Sequence, residues 1–247
     1  MTQIIAHRGV SSLAPENTMP AFAKAIEIGA DGIELDVHLS RDGKLMVIHD
    51  EKLARTTGQA GMVGDYDAQE LRRFSAHARM DEFRGVQIPY LEEVLELLRP
   101  SRLTLNIELK TNLFVYPGIE EKVLKAVKDS GMIDRVYYSS FNHMTLHRVK
   151  CLDPERETGL LYEEDLVRPW DYARMIAGAD ALHPYHITIR EDDYMDSCRA
   201  AGVVVRPWTV DDPEVIRKML RIGVDAVITN VPHNALPIRE AFEKESK

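Results

Sequence analysis

Between Asp31 and Asp50 the chain reads DGIELDVHLSRDGKLMVIHD, and its first half alternates in character. Ile33, Leu35, Val37 and Leu39 share one parity; Glu34, Asp36 and His38 share the other. Successive side chains of a strand point to opposite faces, so the stretch predicts a strand that is apolar on one side and acidic on the other. Residues 102–110, RLTLNIELK, repeat the pattern with Leu103, Leu105, Ile107 and Leu109 against Asn106, Glu108 and Lys110. Between the two, Asp42-Gly43 is a hairpin signal, followed by an apolar run from Leu45 to Ile48 that ends in His49-Asp50. With Asp42 and Gly43 as the two loop residues, Arg41 pairs with Lys44 and Asp36 lies opposite His49 on the same face; a bulged turn would shift this register by one residue. Two carboxylates on a buried face repel each other and lose hydration, and a divalent cation would relieve both costs. A solvent-facing sheet edge would show the same alternation without a cation.

The rest of the chain alternates strand-like with helix-like segments, the pattern of a parallel α/β fold. Strands are expected at 3–7, in the opening stretch, and at 102–110, 135–140, 158–162, 181–183, 203–208 and 226–230. Helices are expected at 18–28, with Asn17 or Thr18 as cap and Gly29 as stop, and at 91–98, 119–130, 144–149, 172–177, 194–200 and 213–221. Residues 51 to about 89, rich in glycine and charge, interrupt the rhythm with helix only at 68–74, and read as an inserted cap within one domain spanning 1–247. Eight βα units predict a (β/α)8 TIM barrel, with an open doubly wound sheet as the alternative.

Composition narrows the function. The 247 residues, 45% of them hydrophobic, suffice for one large core. Acidic residues outnumber basic ones, 40 to 31, so the net charge of -9 offers no broad surface for nucleic acid or an anionic membrane, and any phosphate site must be local. Cys151 and Cys198 are far apart and without CxxC spacing, which suits a reducing compartment and argues against a disulfide framework or a zinc site. No run approaches the roughly 18 apolar residues of a membrane span, and Met1 leads almost directly into a strand. The expected location is the cytoplasm, with no stable membrane insertion; oligomeric state is left open.

His7, Glu34, Asp36, Glu108, Lys110, Ser140, His183, Trp208 and Asn230 all fall at the C-terminal ends of their predicted strands, the rim where barrels build active sites. Individually, a strand-end histidine is often a packing residue and a tryptophan often core; jointly they choose one rim. The motifs IAHRG at 5–9, PENT at 15–18, GADGIELDV at 29–37, DGKLMVIHD at 42–50, LNIELK at 105–110, YPGIEEKV at 116–123, SSF at 139–141, WTVDD at 208–212 and GVDAVITNVP at 223–232 occur in order over nearly the whole chain. In this ordered set the chain resembles the glycerophosphodiester phosphodiesterases, barrels related to phosphatidylinositol-specific phospholipase C. The resemblance implies His7 and His49 as acid and base, Glu34, Asp36 and Glu108 as metal ligands, and Arg8 and Lys110 as phosphate ligands. Asn230 stands where that pattern has aspartate, and Asp211 where it has asparagine.

These residues meet the needs of phosphodiester cleavage: cations for the non-bridging oxygens, a base for the nucleophile and an acid for the leaving group. Three carboxylates without a thiolate favour Mg²⁺ or Ca²⁺. Two histidines with ordinary pKa values of about 6.5 can serve as base and acid near neutral pH. Arg8 offers a planar fork and Lys110 a point charge, although Arg8 could instead make a structural ion pair at the rim. Phe141 and Trp208 are candidates for an apolar wall beside glycerol carbons, or for ordinary core. The resemblance implies attack by the neighbouring glycerol hydroxyl, a cyclic phosphate, and its opening by water to glycerol 3-phosphate and an alcohol. A barrel lyase or aldolase would leave the histidine pair without a task, and a non-catalytic phosphodiester binder would need no acid and base.

Overall fold

The structure, a computed structural model, describes residues 1–190 and 193–245. Its elements in chain order are β1 (Gln3–His7), α1 (Met19–Glu27), β2 (Gly32–Leu39), β3 (Leu45–Val47), α2 (Ala54–Thr57), α3 (Ala68–Leu71), α4 (Leu91–Leu98), β4 (Thr104–Leu109), α5 (Ile119–Ser130), β5 (Val136–Ser140), α6 (His143–Leu152), β6 (Thr158–Tyr162), α7 (Pro169–Asp171), β7 (Ala181–Pro184), α8 (Tyr194–Ala200), β8 (Val204–Val205), α9 (Pro213–Ile222), β9 (Ala226–Thr229) and α10 (Pro232–Glu245). Among the described residues the barrel strands lie in the order β8-β7-β6-β5-β4-β2-β1-β9, with β3 paired to β2 off this path. The barrel pairs are parallel, and only β3 is antiparallel to its neighbour. Backbone bonds from Asp225 N to Val205 O and from Ile228 N to Pro207 O, both 3.0 Å, join β9 to the β8 end, so the sheet closes into a TIM barrel.

The alternation explains the two sides of the barrel wall. Ile33, Leu35, Val37, Leu105, Ile107 and Leu109 face outward into the main core, where Phe22 of α1 and Leu91 and Leu95 of α4 pack against them. The polar parity faces inward: Glu34, Asp36, Asn106 and Glu108 are all buried. What reads as a half-polar strand is therefore buried on both sides, which forces its carboxylates to find partners. Among the described residues no helix is long and apolar enough to cross a membrane.

Several expectations are corrected. The hairpin has a three-residue loop, Arg41-Asp42-Gly43, because Ser40 N bonds Lys44 O and Gly43 N bonds Ser40 O. Gly43 takes φ +74°, the left-handed residue that follows a type I turn, and the Ser40 hydroxyl, bonded to Asp42 Oδ1 at 2.6 Å and to Lys44 N at 2.9 Å, ties the loop. The register pairs Val37 with Val47 and His38 with Met46, so Asp36 faces Ile48 and not His49. The seventh barrel strand is regular only at Val204–Val205, and the predicted helix at 172–177 is a π-helical segment after the single turn of α7. Thr18 caps α1 by position only: its hydroxyl donates to Pro15 O, while Asn17 turns inward. Helices α2 and α10 were not predicted. Within 51–89, Leu53, Val63, Ala68, Leu71, Ala76 and Ile88 form a small core of their own on Met46 and Ile48 of the hairpin.

Candidate active site

Strand register assembles the acids. In the parallel ladders His7 lies beside Glu34, Asp36 beside Glu108, and Glu108 beside Ser139, so one parity from β1, β2, β4 and β5 converges at one end of the barrel. Glu34, Asp36 and Glu108 each offer a carboxylate oxygen, and the three lie within 4.8 Å of one another. Burial raises the Glu34 carboxyl well above its ordinary value, and the charges of Asp36 and Glu108 raise it further. Glu108 is raised too, by burial and Asp36, with Lys110 pulling the other way. Burial alone would also raise Asp36, but His49, Arg8, Lys110 and the Asn17 amide overcome it and hold the carboxyl far below the usual range. Asp36 Oδ1 is buried with no hydrogen-bond donor. An anionic oxygen that has no hydrogen bond and only Lys110 Nζ at 3.8 Å, set among three converging hard donors, is what a divalent oxygen-seeking cation would fit.

The two histidines reach this cluster from different elements. His7 ends β1, with Nε2 3.8 Å from Glu34 Oε2 and Nδ1 2.7 Å from Asn230 Oδ1. Burial, aided by Arg8, lowers its pKa to about 4. His49 arrives through the bend that follows β3, not through the predicted ladder position. Its backbone oxygen accepts a 2.9 Å bond from His38 Nε2, its Nδ1 donates to Asp50 Oδ1 at 2.6 Å, and Lys110 Nζ approaches Nε2 at 3.2 Å. Since a carboxylate can only accept and an ammonium only donate, His49 carries its proton on Nδ1. Both Nδ1 atoms are thus occupied, and both rings line the same cavity with Glu34, Glu108, Phe141 and Trp208.

Arg8 and Lys110 are drawn into the cluster as well. Arg8 lies 2.9 Å from Glu16 and 3.3 Å from Asp36, and its backbone N–H donates to Glu34 at 3.0 Å. Burial would lower its pKa, yet Asp36, Glu16 and Glu34 outweigh that and raise it. The following residue must be glycine: Gly9 has φ +80°, and a Cβ there would sit 2.6 Å from the Ala21 carbonyl carbon. Lys110 bonds Glu108 at 2.8 Å and stays cationic, the two acids Glu108 and Asp36 overriding its burial. Phe141 and Trp208 meet edge to face with centroids 5.5 Å apart, and Lys110 Nζ lies 5.9 Å from the Phe141 ring.

Not every strand-end residue belongs. Ser140 donates to Leu109 O at 2.7 Å and is used up in the backbone; His183 is fully buried beside Arg206, under the Trp208 indole that donates to its carbonyl. Conversely, sequence reasoning missed the supporting residues. Asn17, with φ +57°, donates from Nδ2 to Asp36 Oδ2 at 2.8 Å. Glu16 and Asp50 are bridged by Arg55, and buried His38 orients the His49 backbone. The PENT and HD motifs contain Glu16, Asn17 and Asp50, but only contacts reveal what they hold.

Known proteins match the chain over nearly its whole length. The model of the glycerophosphoryl diester phosphodiesterase family matches residues 7–234. The chain is 45% identical over 236 residues to a glycerophosphodiester phosphodiesterase of Caldanaerobacter subterraneus subsp. tengcongensis, covering 95% of this chain and 96% of the relative. It is 44% identical over 249 residues to one of Bacillus altitudinis, covering 98% and 100% respectively. An Oleispira antarctica phosphodiesterase, solved in complex with the product sn-glycerol-3-phosphate, superposes with a TM-score of 0.88 at 29% identity over 97% of each chain. The chain therefore belongs to the glycerophosphoryl diester phosphodiesterase family, a family of phosphoric diester hydrolases.

Proposed function

We propose that this protein hydrolyses glycerophosphodiesters to glycerol 3-phosphate and an alcohol at the Glu34-Asp36-Glu108 rim. The observation that carries the reading is the meeting of two histidines, in one cavity with Glu34 and Glu108, beside the buried Glu34-Asp36-Glu108 cluster. The relative solved with sn-glycerol-3-phosphate supports the same product class.

Glu34, Asp36 and Glu108 would hold one divalent cation, Mg²⁺ or Ca²⁺ given an all-oxygen donor set. When bound it supplies positive charge to the phosphoryl oxygens. Arg8 and Lys110 add fixed positive charge at the same place, already oriented by Glu16, Asp36 and Glu108, so little reorganisation is needed as charge builds on phosphorus-bound oxygen. One histidine takes the proton from the attacking glycerol hydroxyl through a bare Nε2; the other, which must enter the step with both ring nitrogens protonated, gives its Nε2 proton to the departing alkoxide. The P–O bond to the alcohol breaks as the bond to the glycerol oxygen forms, leaving a cyclic phosphate. Water then opens that ring with the proton roles reversed. The Phe141-Trp208 corner forms the apolar wall for the glycerol carbons. Cys151 and Cys198 are both free thiols, which fits action in a reducing compartment such as the cytoplasm.

The test is release of glycerol 3-phosphate from glycerophosphocholine with Mg²⁺, Ca²⁺ or EDTA. Wild type should turn over only with metal, and folded His7→Ala and His49→Ala should each lose at least about 100-fold. Metal-loaded wild type that cleaves no glycerophosphodiester would end the proposal and leave the rim as a binding site.

A further inference from the structure

Asn230 and Asp211, each of which stands where the family resemblance leads one to expect the other's residue type, are bonded to each other, and Asn230 is bonded to His7. Asp211 Oδ1 receives the Thr229 hydroxyl at 2.9 Å and the Asn230 backbone N–H at 2.8 Å, and Oδ2 lies 2.6 Å from Asn230 Nδ2. A carboxylate only accepts, so the side-chain group of Asn230 that faces it must be the NH₂. That sends Oδ1 of the amide toward His7 Nδ1, 2.7 Å away, where it also accepts the Ser11 hydroxyl at 2.8 Å. An amide oxygen cannot donate, so the proton of that bond belongs to Nδ1 and the lone pair to Nε2. Ring orientation follows as well: with Nδ1 bound to Asn230, Nε2 points at Glu34.

We propose that Asp211 and Asn230 are positioning residues, a relay that holds His7 in its Nδ1–H tautomer and aims the Nε2 lone pair at the carboxylate cluster. Neither touches substrate; both act through His7. On the Nδ1 side the relay keeps the Asp211 charge one residue away from His7, whereas His49 Nδ1 meets the Asp50 carboxylate directly. The two rings are thereby given different surroundings across one cavity. The value of the relay for turnover rests on the acid and base reading of His7, so its test needs a signal that does not depend on turnover.

Ring-nitrogen chemical shifts of ¹⁵N-histidine-labelled protein supply it, with the His7 signals assigned by their loss in His7→Gln. Wild type should show Nδ1 protonated and Nε2 bare. In Asp211→Asn the new amide must turn its oxygen to Thr229 and the Asn230 backbone, which leaves its NH₂ facing the NH₂ of Asn230. Asn230 then flips, offers a donor to His7 Nδ1, and drives the proton to Nε2. The expected result is a reversed tautomer signature with kcat down at least tenfold and KM within about twofold. The exchange Asp211→Asn/Asn230→Asp rebuilds the pattern, the new amide donating to one oxygen of residue 230 while the other accepts from His7. It should recover the Nδ1–H signature and most of kcat. Wild-type His7 protonated on Nε2 would overturn the relay whether or not any variant folds. So would Asp211→Asn with tautomer and kcat unchanged, or a double exchange no better than the single one. A correct tautomer in a protein that cleaves nothing would sink the activity and leave the relay standing.

Discussion

Asp36 shows how a single side chain can be forced into a chemical role. It is fully buried, yet Arg8, Asn17 and Lys110 surround it and keep it ionised, so the desolvation cost of the carboxylate is met by its neighbours. Removing one of them should be felt. Asn17→Ala takes away a 2.8 Å bond to a buried charge and should lower unfolding free energy by about 1.5–3 kcal/mol, read from urea midpoints without metal. An unchanged midpoint would show that Asp36 does not need the amide. Glu34 and Glu108 are in the opposite position, both raised by burial and by the charge of Asp36. A divalent cation should therefore raise the melting temperature of wild type by several degrees, and Glu108→Gln should abolish most of that rise. Equal metal-induced shifts in the two proteins would remove Glu108 from the ligand set.

At the scale of elements, the β2-β3 hairpin decides where His49 goes. Its three-residue loop places Asp36 opposite Ile48, and His49 reaches the site only because the chain bends after β3 and His38 holds the bend. Gly43 carries the left-handed residue of the loop. Gly43→Val places a β-branched side chain there and should cost about 1–2 kcal/mol or more in stability. A variant as stable as wild type, measured by denaturant unfolding, would mean that the loop can adopt another turn. The neighbouring small core at 51–89 packs on Met46 and Ile48 of this hairpin, so the hairpin joins the barrel wall to that segment.

At the scale of the whole molecule, burial of histidine inside the barrel links stability to pH. His183 is fully buried against Arg206 and Tyr137, and burial, reinforced by Arg206, holds its pKa well below the ordinary value. The folded chain thus resists a proton that the unfolded chain accepts below about pH 6.5. The stability linked to this group is complete above that pH and falls as pH drops, by about 1.4 kcal/mol for each unit over which only the unfolded chain binds the proton. Wild type should lose more stability between pH 7 and pH 5 than His183→Gln, compared by urea midpoints. Parallel losses would assign the acid sensitivity elsewhere.

The sequence by itself determined the strands and their two faces, because a period of two is a local property of an extended chain. Ile33 to Leu39 and Leu103 to Leu109 could be placed without knowing their neighbours. It also marked the ligand candidates, since carboxylates and histidines at strand ends of one parity must share a rim once the barrel closes. Tertiary structure alone decided the hairpin register, because a two-residue and a three-residue loop both accept Asp42-Gly43 and differ only in hydrogen bonds made by Ser40, Arg41 and Tyr66. It alone separated His183 and Ser140, spent on packing and backbone, from His7 and His49. It alone joined Asn230 to His7, 223 residues apart in the chain, and Asn17 to Asp36, 19 apart. Such bonds depend on the pairing of strands in the folded sheet, which brings separate segments within hydrogen-bonding distance and leaves no local periodicity in the chain to announce them.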